Sequence, residues 1–305
     1  MIEGILPLWK EKGMTSFDCV YKVRKILGIK KVGHAGTLDP EVEGVLPIAI
    51  GKATKVLEFM LEGDKRYAGE VTLGFSTSTE DATGEVIEQL DVVEDILEEN
   101  VDNILKEFVG KIEQTPPMFS AVKVDGKRLY EYAFEGEEIE RPSREVEIHS
   151  LERTSEVHAD SEAKTARFSF DVTCSKGTYI RTLAVDIGKN LDFPAHMSNL
   201  TRIKSGRVGA EETVTLTEVK KAMDSNKIDD FLLPIDYGLV EFPKVSISKE
   251  LWGRVKNGAR LEETEIETDE FPVVLTYNGT VVAMYKKHET KPGKIKPRKM
   301  FKTEL

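Results

Sequence analysis

One stretch near the start of the chain restricts the fold more than any other. Residues 30–51 read KKVGHAGTLDPEVEGVLPIAIG and combine a short apolar run with Gly33, Gly36 and Gly44 and with two prolines. Proline removes a backbone donor and glycine adopts conformations that other residues avoid, so almost nothing in this stretch favours a long helix or a regular strand. We expect a rigid loop with Asp39 at its centre.

The sequence around this loop predicts helices and strands in a mixed order. Helical spacing is present in TSFDCVYKVRKILG, KATKVLEFML and GTYIRTLAVDIGKNL, and strand-like runs are VLPIAIG, RYAGEVTLG, REVEIHSLE and ARFSFDVTCS. The stretches DATGEV and SAVKVDGKRLYEY predict hairpins. Strands that lie mostly in hairpins, with helices between them, predict an α+β fold: a mixed, mainly antiparallel sheet decorated with helices.

The end of the chain predicts a separate small unit. Two prolines interrupt LLPIDYGLVEFPKV, and the segments RVKNGARL and FPVVLTYNGTVVAMYKK beyond it predict short strands with Asn-Gly turns. We therefore predict a main domain over residues 1–240 and a β-rich module over residues 241–305. A module of about 60 residues is large enough to fold, although only marginally.

Composition limits the class of protein. Of 305 residues, 40% are hydrophobic, which is enough for a core, and no run of about 18 apolar residues predicts a membrane span. The start of the chain, with Glu3, does not resemble a signal peptide. Cys19 and Cys174 form neither a disulfide framework nor a metal cluster, which favours a reducing cytoplasm.

Charge is strongly segregated along the chain. The net charge of −11 argues against a nucleic-acid partner, yet residues 286–302 hold seven lysines and one arginine against one glutamate. Residues 22–31 hold five basic residues and no acid, while acids gather in residues 80–102. This distribution permits either a basic binding face or a solvated surface with a loose basic tail, and composition favours neither.

Asp39 is either a turn residue or a reagent. Asp-Pro is common turn chemistry, but the three glycines and the preceding basic segment also suit a loop that presents a carboxylate beside a basic surface. A carboxylate can act as nucleophile, general base or metal ligand. The sequence has no HxxxH, DxD or cysteine pair, which disfavours a metal, and no GxGxxG, GxxxxGK[ST] or GxSxG motif.

Two other residues are candidates for the same site. Tyr67 follows two cations at the start of a predicted strand, where an ordinary core aromatic is the simpler interpretation. Arg181 lies in the first turn of a predicted helix, where a cation is unfavourable unless an anion pairs with it. An Asp–Arg pair beside an aromatic ring is what an enzyme needs to act on a flipped nucleotide without a cofactor.

Four motifs in series resemble a known family. GHAGTLDPEVEGVLPIAIGKATK, DKRYAGEVTLG, PPMFSAVKVDGKRLYEYA and CSKGTYIRTLAVDIG are similar to the bacterial TruB-type tRNA pseudouridine-55 synthases, over about residues 1–207. The resemblance implies a pseudouridine synthase domain over 1–240, and the C-terminal module weakly resembles a PUA-type RNA-binding domain. It implies isomerisation of one uridine in the tRNA T-arm, in the cytoplasm, with no metal or cofactor. We expect a monomer.

The resemblance also implies roles for individual residues. Asp39 would be the catalytic aspartate, Tyr67 would stack on the flipped uracil, and Arg181 would pair with Asp39. The substrate-binding residues would be His34, Tyr67, Tyr179, Leu200 and Lys10. The carboxylate could attack C6 of the uracil, attack C1′ of the ribose, or take a proton to form a glycal, and the residues favour none of the three. The opening differs from the family's usual LLLDKP-x-G-x-TS, since Trp9 and Glu11 replace Asp and Pro.

The expected RNA surface comprises residues 22–31, 123–128, 202–207 and the basic tail, while residues 80–102 are expected to face away. Two other functions compete with catalysis on tRNA. One is an RNA-binding or RNA-folding protein with an inactive synthase core. The other is a glycosidase acting on a small sugar, which would need a second carboxylate in a motif of its own.

Overall fold

The computed structural model describes residues 2–93 and 96–304. The strands are β1 (Gly4–Lys10), β2 (Val32–His34), β3 (Glu43–Ile50), β4 (Lys65–Leu73), β5 (Phe75–Thr77), β6 (Val86–Gln89), β7 (Gly110–Gln114), β8 (Lys123–Val124), β9 (Lys127–Arg128), β10 (Arg144–Arg153), β11 (His158–Asp160), β12 (Thr165–Cys174), β13 (Ala195–Ser205), β14 (Val208–Gly209), β15 (Lys244–Ser246), β16 (Leu261–Glu262), β17 (Val273–Tyr277), β18 (Thr280–Lys287) and β19 (Lys294–Met300). The α-helices are α1 (Ser16–Leu27), α2 (Leu57–Met60), α3 (Glu98–Glu107), α4 (Leu129–Glu135), α5 (Ile180–Asn190), α6 (Leu216–Asp224) and α7 (Lys249–Val255). Short 3-10 helices cover Gly51–Val56, Ala210–Glu212, Ile228–Phe231, Ile235–Leu239 and Glu263–Glu265.

A ten-stranded sheet forms the main domain. Its strands run in the order β1-β3-β13-β4-β12-β10-β7, while β2, β11 and β14 pair at the sides of β3, β12 and β13. The pairs are antiparallel except where β13 runs parallel to β3, with Thr201 opposite Glu43 and Arg202 opposite Gly44. Helices α1 and α5 cover the apolar face of this sheet. The predicted α+β class, with a mixed and mainly antiparallel sheet, is confirmed.

Helix α1 forms as its sequence predicts. Thr15 and Asp18 make a reciprocal capping box at its start, and Gly28 ends it in the left-handed conformation at φ 67°. Cys19, Val20, Val23 and Leu27 lie on its buried face. Both ends and the buried face are thus encoded within the segment itself.

Two predicted elements differ from the structure. KATKVLEFML begins as the 3-10 helix Gly51–Val56 and only its end is α-helical. RVKNGARL, predicted as a strand, instead contains the end of α7, which Ser248 caps by accepting from the backbone N–H of Leu251. Trp252 and Val255 of α7 are both buried, and this spacing of three residues is helical.

The C-terminal residues form a second sheet that shares apolar contacts with the main domain. Its order is β15-β17-β18-β19-β16, and Asn278 and Gly279 make the predicted hairpin turn with φ 49° and 72°. Val274, Met284 and Phe301 of this sheet join a buried cluster with Ile5 and Phe59 of the main domain. The two sheets therefore pack through a common hydrophobic core.

The basic tail is part of this second sheet. Strand β19 carries Arg298 and Lys299, and both pair with Glu58 of α2 at 2.8 and 2.6 Å.

Within the described residues, no helix has the length and apolar character needed to cross a bilayer.

Candidate active site

The Asp39 loop is fixed to helix α1 at one side. The Ser16 hydroxyl, at the start of α1, accepts from the backbone N–H of Leu38 at 2.9 Å and donates to the Leu38 carbonyl at 3.1 Å. Just beyond, the backbone N–H of Val42 donates to the Asp39 carbonyl at 3.1 Å, closing a turn. The residue before Asp39 is thus bonded through both of its backbone groups.

Arg202 fixes the other side of the loop. This side chain is 1% exposed, and its guanidinium donates to the carbonyls of Val45 at 2.8 Å, Gly36 at 3.0 Å and Thr37 at 3.4 Å. We expected residues 202–207 to face RNA, which is wrong for Arg202, because the guanidinium is needed inside to satisfy loop carbonyls. Lys204 and Arg207 are exposed as expected.

Gly44 is required by the close approach of the loop to β13. Its φ is +124°, and a Cβ there would lie 2.2 Å from the backbone oxygen of Arg202. Gly36, at φ +92°, lies against the Arg202 guanidinium, where a Cβ would be 3.4 Å from Nη1. Gly36 and Gly44 therefore allow the backbone of the loop to pack on Arg202.

Asp39 and Arg181 form an ion pair at this loop. A guanidinium nitrogen of Arg181 lies 3.0 Å from Asp39 Oδ2, and the Asp39 side chain is 42% exposed while that of Arg181 is 7% exposed. Arg181 also donates to the carbonyls of Thr79 at 2.9 Å and Phe119 at 3.0 Å. A buried cation thus holds a carboxylate that remains accessible to a ligand.

Tyr67 and Leu200 lie on one face of the sheet beside this pair. Tyr67 of β4 stands opposite Arg202, and Leu200, two residues earlier on β13, stands opposite Gly69. Tyr67 is 8% and Leu200 7% exposed. Burial raises the pKa of Tyr67, while the charge of nearby Arg202 opposes the rise. The Tyr67 ring is therefore a neutral apolar surface at neutral pH.

His34 is a neutral, partly buried histidine at the end of β2. Its pKa is lowered by burial and by the positive charge of Arg202. Its Nδ1 is buried and has no hydrogen-bond partner among the described residues. Because Nδ1 is enclosed, His34 does not present this nitrogen at the protein surface.

Tyr179 is positioned by a residue that the sequence did not reveal. The Gln114 side chain is 1% exposed; it accepts from the backbone N–H of Tyr179 at 3.0 Å and donates to its carbonyl at 3.1 Å. The Arg144 guanidinium lies 4.8 Å from the centre of the Tyr179 ring. A lone glutamine at a strand end carries no signal in the sequence, since its partner is far away in the chain.

Lys10 is buried and bonded to the loop. It is 0% exposed, and its Nζ donates to the carbonyls of Pro40 at 3.0 Å and Glu11 at 3.1 Å. Burial lowers the pKa of Lys10, and the charges of Cys19, Glu41 and Asp39 oppose this effect. Because the ammonium is enclosed, its position fits the support of the loop better than the direct substrate contact that we expected.

Glu80 is a second carboxylate near the pair. It accepts from the Thr182 hydroxyl at 2.8 Å, and its backbone has φ 64°, which is rare for a residue other than glycine. Burial raises the pKa of Glu80, against the hydrogen bond from Thr182 and the charge of Arg181. We expected residues 80–102 to face away from the site, which is wrong for Glu80. Glu85 and Glu88 are exposed, and Glu94 and Asp95 lie outside the described residues.

A groove of about 930 Å³ lies elsewhere, between the sheet and the segment before the second sheet. Arg66, Asp171 and Lys204 line it. Arg66 and Asp171 are neighbours in sequence of Tyr67 and Val172, so they face the opposite side of the sheet, and a register shift between Arg202 and Lys204 places Lys204 opposite Arg66 on that side. Among the described residues, no group of three or more His, Cys, Asp or Glu side chains converges in a way that could hold a metal ion.

Comparison with known proteins identifies the family of this site. A sequence profile described as "TruB family pseudouridylate synthase (N terminal domain)" matches residues 24–180, and one described as "tRNA pseudouridylate synthase B C-terminal domain" matches residues 181–240. The chain belongs to the TruB family. The resemblance is confirmed, and the chain is an enzyme of the pseudouridylate synthase class. The TruB matches contain Asp39, Tyr67 and Tyr179 in the first profile and Arg181 and Leu200 in the second.

The similarity to TruB relatives extends over the whole chain. A protein named tRNA pseudouridine synthase B from Bacillus pumilus (strain SAFR-032) is 53% identical over 99% of this chain and 98% of its own length. A protein of the same name from Bacillus subtilis (strain 168) is 49% identical over 99% and 98% of the two chains. Residues 241–305, which neither profile covers, are thus shared with these relatives.

Solved structures share the same fold. The crystal structure of a Cbf5-Nop10-Gar1 complex contains a chain that matches with a TM-score of 0.75 at 28% identity, covering 98% of this chain and 85% of that chain. A structure of an H/ACA RNP bound to a substrate RNA containing 2′-deoxyuridine matches with a TM-score of 0.73 at 25% identity, over 98% and 85%. The TruB fold found here therefore extends to proteins of RNA-containing assemblies.

Proposed function

We propose that this enzyme converts uridine 55 in the T-arm stem-loop of tRNA into pseudouridine, with Asp39 as the catalytic carboxylate and with no metal or organic cofactor. The observation that supports this most is the 3.0 Å pair between accessible Asp39 and buried Arg181. Relatives named tRNA pseudouridine synthase B, about 50% identical over the full chain, support tRNA as the substrate. A tRNA substrate implies that the enzyme works in the cytoplasm.

The reaction needs only one well-placed carboxylate. The bond between N1 of uracil and C1′ of ribose breaks and a bond between C5 and C1′ forms. The C5 proton leaves to solvent and N1 gains a proton, so no oxidant or reductant is required. Asp39 acts at the base or the sugar as nucleophile or base. Arg181 fixes one of its oxygens, so that the carboxylate meets the nucleotide in a single orientation.

The residues around Asp39 suit a nucleotide that has left its helix. Tyr67 and Leu200 lie on one face of the sheet, and a flat aromatic ring there can stack on the extruded uracil while Leu200 covers it. His34, at the end of β2, helps to hold the nucleotide outside the helix, and Tyr179 contacts it. We assign Lys10 to holding the Pro40 carbonyl and thereby the turn that carries Asp39.

A lysine cluster supports a path for the RNA stem toward the C-terminal sheet. Burial and the like charges of Lys31, Lys52 and Lys299 lower the pKa of Lys55, and Lys299 also pairs with Glu58. Phosphates relieve such repulsion, so binding should weaken steeply with salt. In this arrangement the module over 241–305 acts as a PUA-like RNA-binding domain attached to a synthase domain over 1–240, and one monomer binds one tRNA.

The deciding experiment is release of tritium from C5-labelled uridine in an unmodified tRNA transcript, with chelator present. Wild type should release tritium, Asp39→Asn should not, and mapping should place the product at position 55. Glu41→Gln, two residues away on the same turn, is the matched control and should retain activity. Full activity of Asp39→Asn would overturn the role of Asp39. Tight tRNA binding by wild type without release would favour an RNA-folding function instead.

A further inference from the structure

The outward face of α1 carries exposed aromatic side chains in a basic setting. Phe17 is 63% and Tyr21 60% exposed, although apolar rings of this size are usually covered. They lie four residues apart, and Arg24, Lys25 and Gly28 continue the same face at helical spacing. We call this set the α1 stripe. A 12-residue helix makes it about 18 Å long.

The α1 stripe starts beside the active site. Ser16, which precedes Phe17, makes both hydrogen bonds to the backbone of Leu38, the neighbour of Asp39. Further along, Arg24 donates from Nη2 to the carbonyl of Val32 at 2.8 Å, at the start of the strand that ends in His34. An RNA whose nucleotide reaches Asp39 therefore passes close to the stripe.

The positive charge of residues 22–31 favours a nucleic acid over a protein as the partner of the α1 stripe. Residues 22–31 carry five cations and no acid, and Asp18 is held by its capping bonds to Thr15. Protein interfaces are depleted of lysine, whereas phosphate backbones attract it. The Arg24 guanidinium lies 5.8 Å from the centre of the Phe17 ring, and arginine beside an aromatic ring is a common platform for unpaired bases.

The end of the stripe is concave. Tyr21, Arg24, Lys25 and Lys30 line a shallow depression of about 460 Å³ together with Gly28 and Ile29. One aromatic ring and three cations around a depression can receive a base and its flanking phosphates together.

We propose that the α1 stripe is a second RNA contact, in which Tyr21 and Phe17 stack on unpaired bases of the bound RNA outside the pocket of the target uridine. This rests on the proposed function, since it assumes a tRNA substrate. The stripe binds but does not react, so its loss raises KM and leaves kcat unchanged.

Substitutions at Tyr21 test the stacking directly. Tyr21→Leu keeps an apolar side chain that suits a helix but removes the ring, and Tyr21→Phe keeps the ring. We expect Tyr21→Leu to weaken tRNA binding by about 10-fold and Tyr21→Phe to bind as wild type does. Ile87→Ala, which changes an apolar residue that is 67% exposed on β6, is the control and should change nothing.

The salt dependence of tRNA binding distinguishes the contribution of the aromatic rings from that of the positive charges. Lys25→Ala should reduce the slope of log affinity against log salt by about 0.7 to 0.9, while Tyr21→Leu should lower affinity at the same slope. Equal binding by wild type and Tyr21→Leu would overturn the proposal, as would a loss in Tyr21→Phe equal to that in Tyr21→Leu. Tritium release by wild type, measured in the same samples, tests the proposed function independently. If wild type releases no tritium, the proposed function is wrong, and the tRNA binding of the Tyr21 variants still tests whether the α1 stripe contacts RNA.

Discussion

The Arg181 guanidinium lies 3.0 Å from Asp39 Oδ2 while it also donates to the carbonyls of Thr79 and Phe119. Three oxygens from three separate parts of the chain thus determine where one cation lies. The position of the Asp39 carboxylate is therefore well defined, because the Arg181 guanidinium is held by two carbonyls and would not move with it. The Asp39 side chain is 42% exposed, and a substrate would enter from that exposed side.

Arg181→Lys tests whether this geometry matters beyond its charge. Lysine keeps the cation but loses the planar fork that reaches three oxygens, so kcat should fall by about 100-fold or more. Affinity for tRNA should remain within about threefold, measured by filter binding beside single-turnover kinetics. Arg66→Lys, which alters an exposed pair with Asp171 at 2.8 Å, should leave kcat unchanged. Equal losses in the two variants would contradict a special role for Arg181.

Lys10→Met tests whether a buried lysine supports the loop. Without the donor to Pro40 the turn around Asp39 loosens, so kcat should fall by about 10-fold or more with little change in KM. Lys12→Met is the matched control, because Lys12 is an exposed lysine two residues away that donates to Asn199. A rise in KM at constant kcat would instead support the substrate-binding role first expected for Lys10.

Arg202→Met should destabilise the whole domain. It leaves the carbonyls of Val45, Gly36 and Thr37 without their donor inside the protein, and we expect a loss of about 3 kcal/mol or more in the free energy of unfolding. Urea denaturation measures this. Arg207→Met removes an exposed arginine from the same segment and should stay within about 0.5 kcal/mol of wild type. Similar small losses in both would mean that the loop does not depend on Arg202.

Glu80→Gln should change how stability depends on pH. Because burial raises the pKa of Glu80, the folded state keeps its proton to higher pH than the unfolded state does. The contribution of Glu80 is therefore most favourable below the unfolded pKa near 4.5 and is lost as pH rises through the folded value. Arg181, Arg141 and Asp186 are the charges that act on it.

The measurement for Glu80 is the free energy of unfolding of both proteins between pH 4.5 and 7. Glutamine can still accept from Thr182 but carries no charge, so the variant should gain stability relative to wild type as pH rises. Glu88→Gln, on the exposed strand β6, controls for the loss of one negative charge. A difference between wild type and Glu80→Gln that stays constant with pH would contradict the effect of burial.

Local signals in the sequence were sufficient for several elements. Helix α1 could be predicted because Thr15, Asp18 and Gly28 carry its start and end within one segment. The turn at Asn278 and Gly279 is similar, since only the residues of the turn decide it. In the Gly51–Met60 segment both helix types satisfy the same short spacing, so the sequence did not separate a 3-10 helix from an α-helix.

The supports of the site depend on partners that are distant in the chain. Arg202 and Lys204 look equivalent as sequence and would share a face of a regular strand, but a register shift between them places Lys204 opposite Arg66, and only Arg202 is buried where β13 runs parallel to β3. Glu80 belongs to a run of acids but is half-buried, and α5 brings Thr182 into hydrogen-bond contact with it. The sequence thus indicated Asp39 and its surroundings, whereas the residues that hold Asp39 needed the sheet order.

The common core of the two sheets fixes the spacing between the Asp39 loop and the basic strand β19. Since Val274, Met284 and Phe301 pack in one cluster with Ile5 and Phe59, the basic strand β19 is held against the sheet that carries the Asp39 loop. The distance from the Asp39 carboxylate to the lysines of β19 is then set by the protein itself, before any RNA binds. An RNA stem of the matching length would reach both at once, and a stem of another length would have to give up one of them.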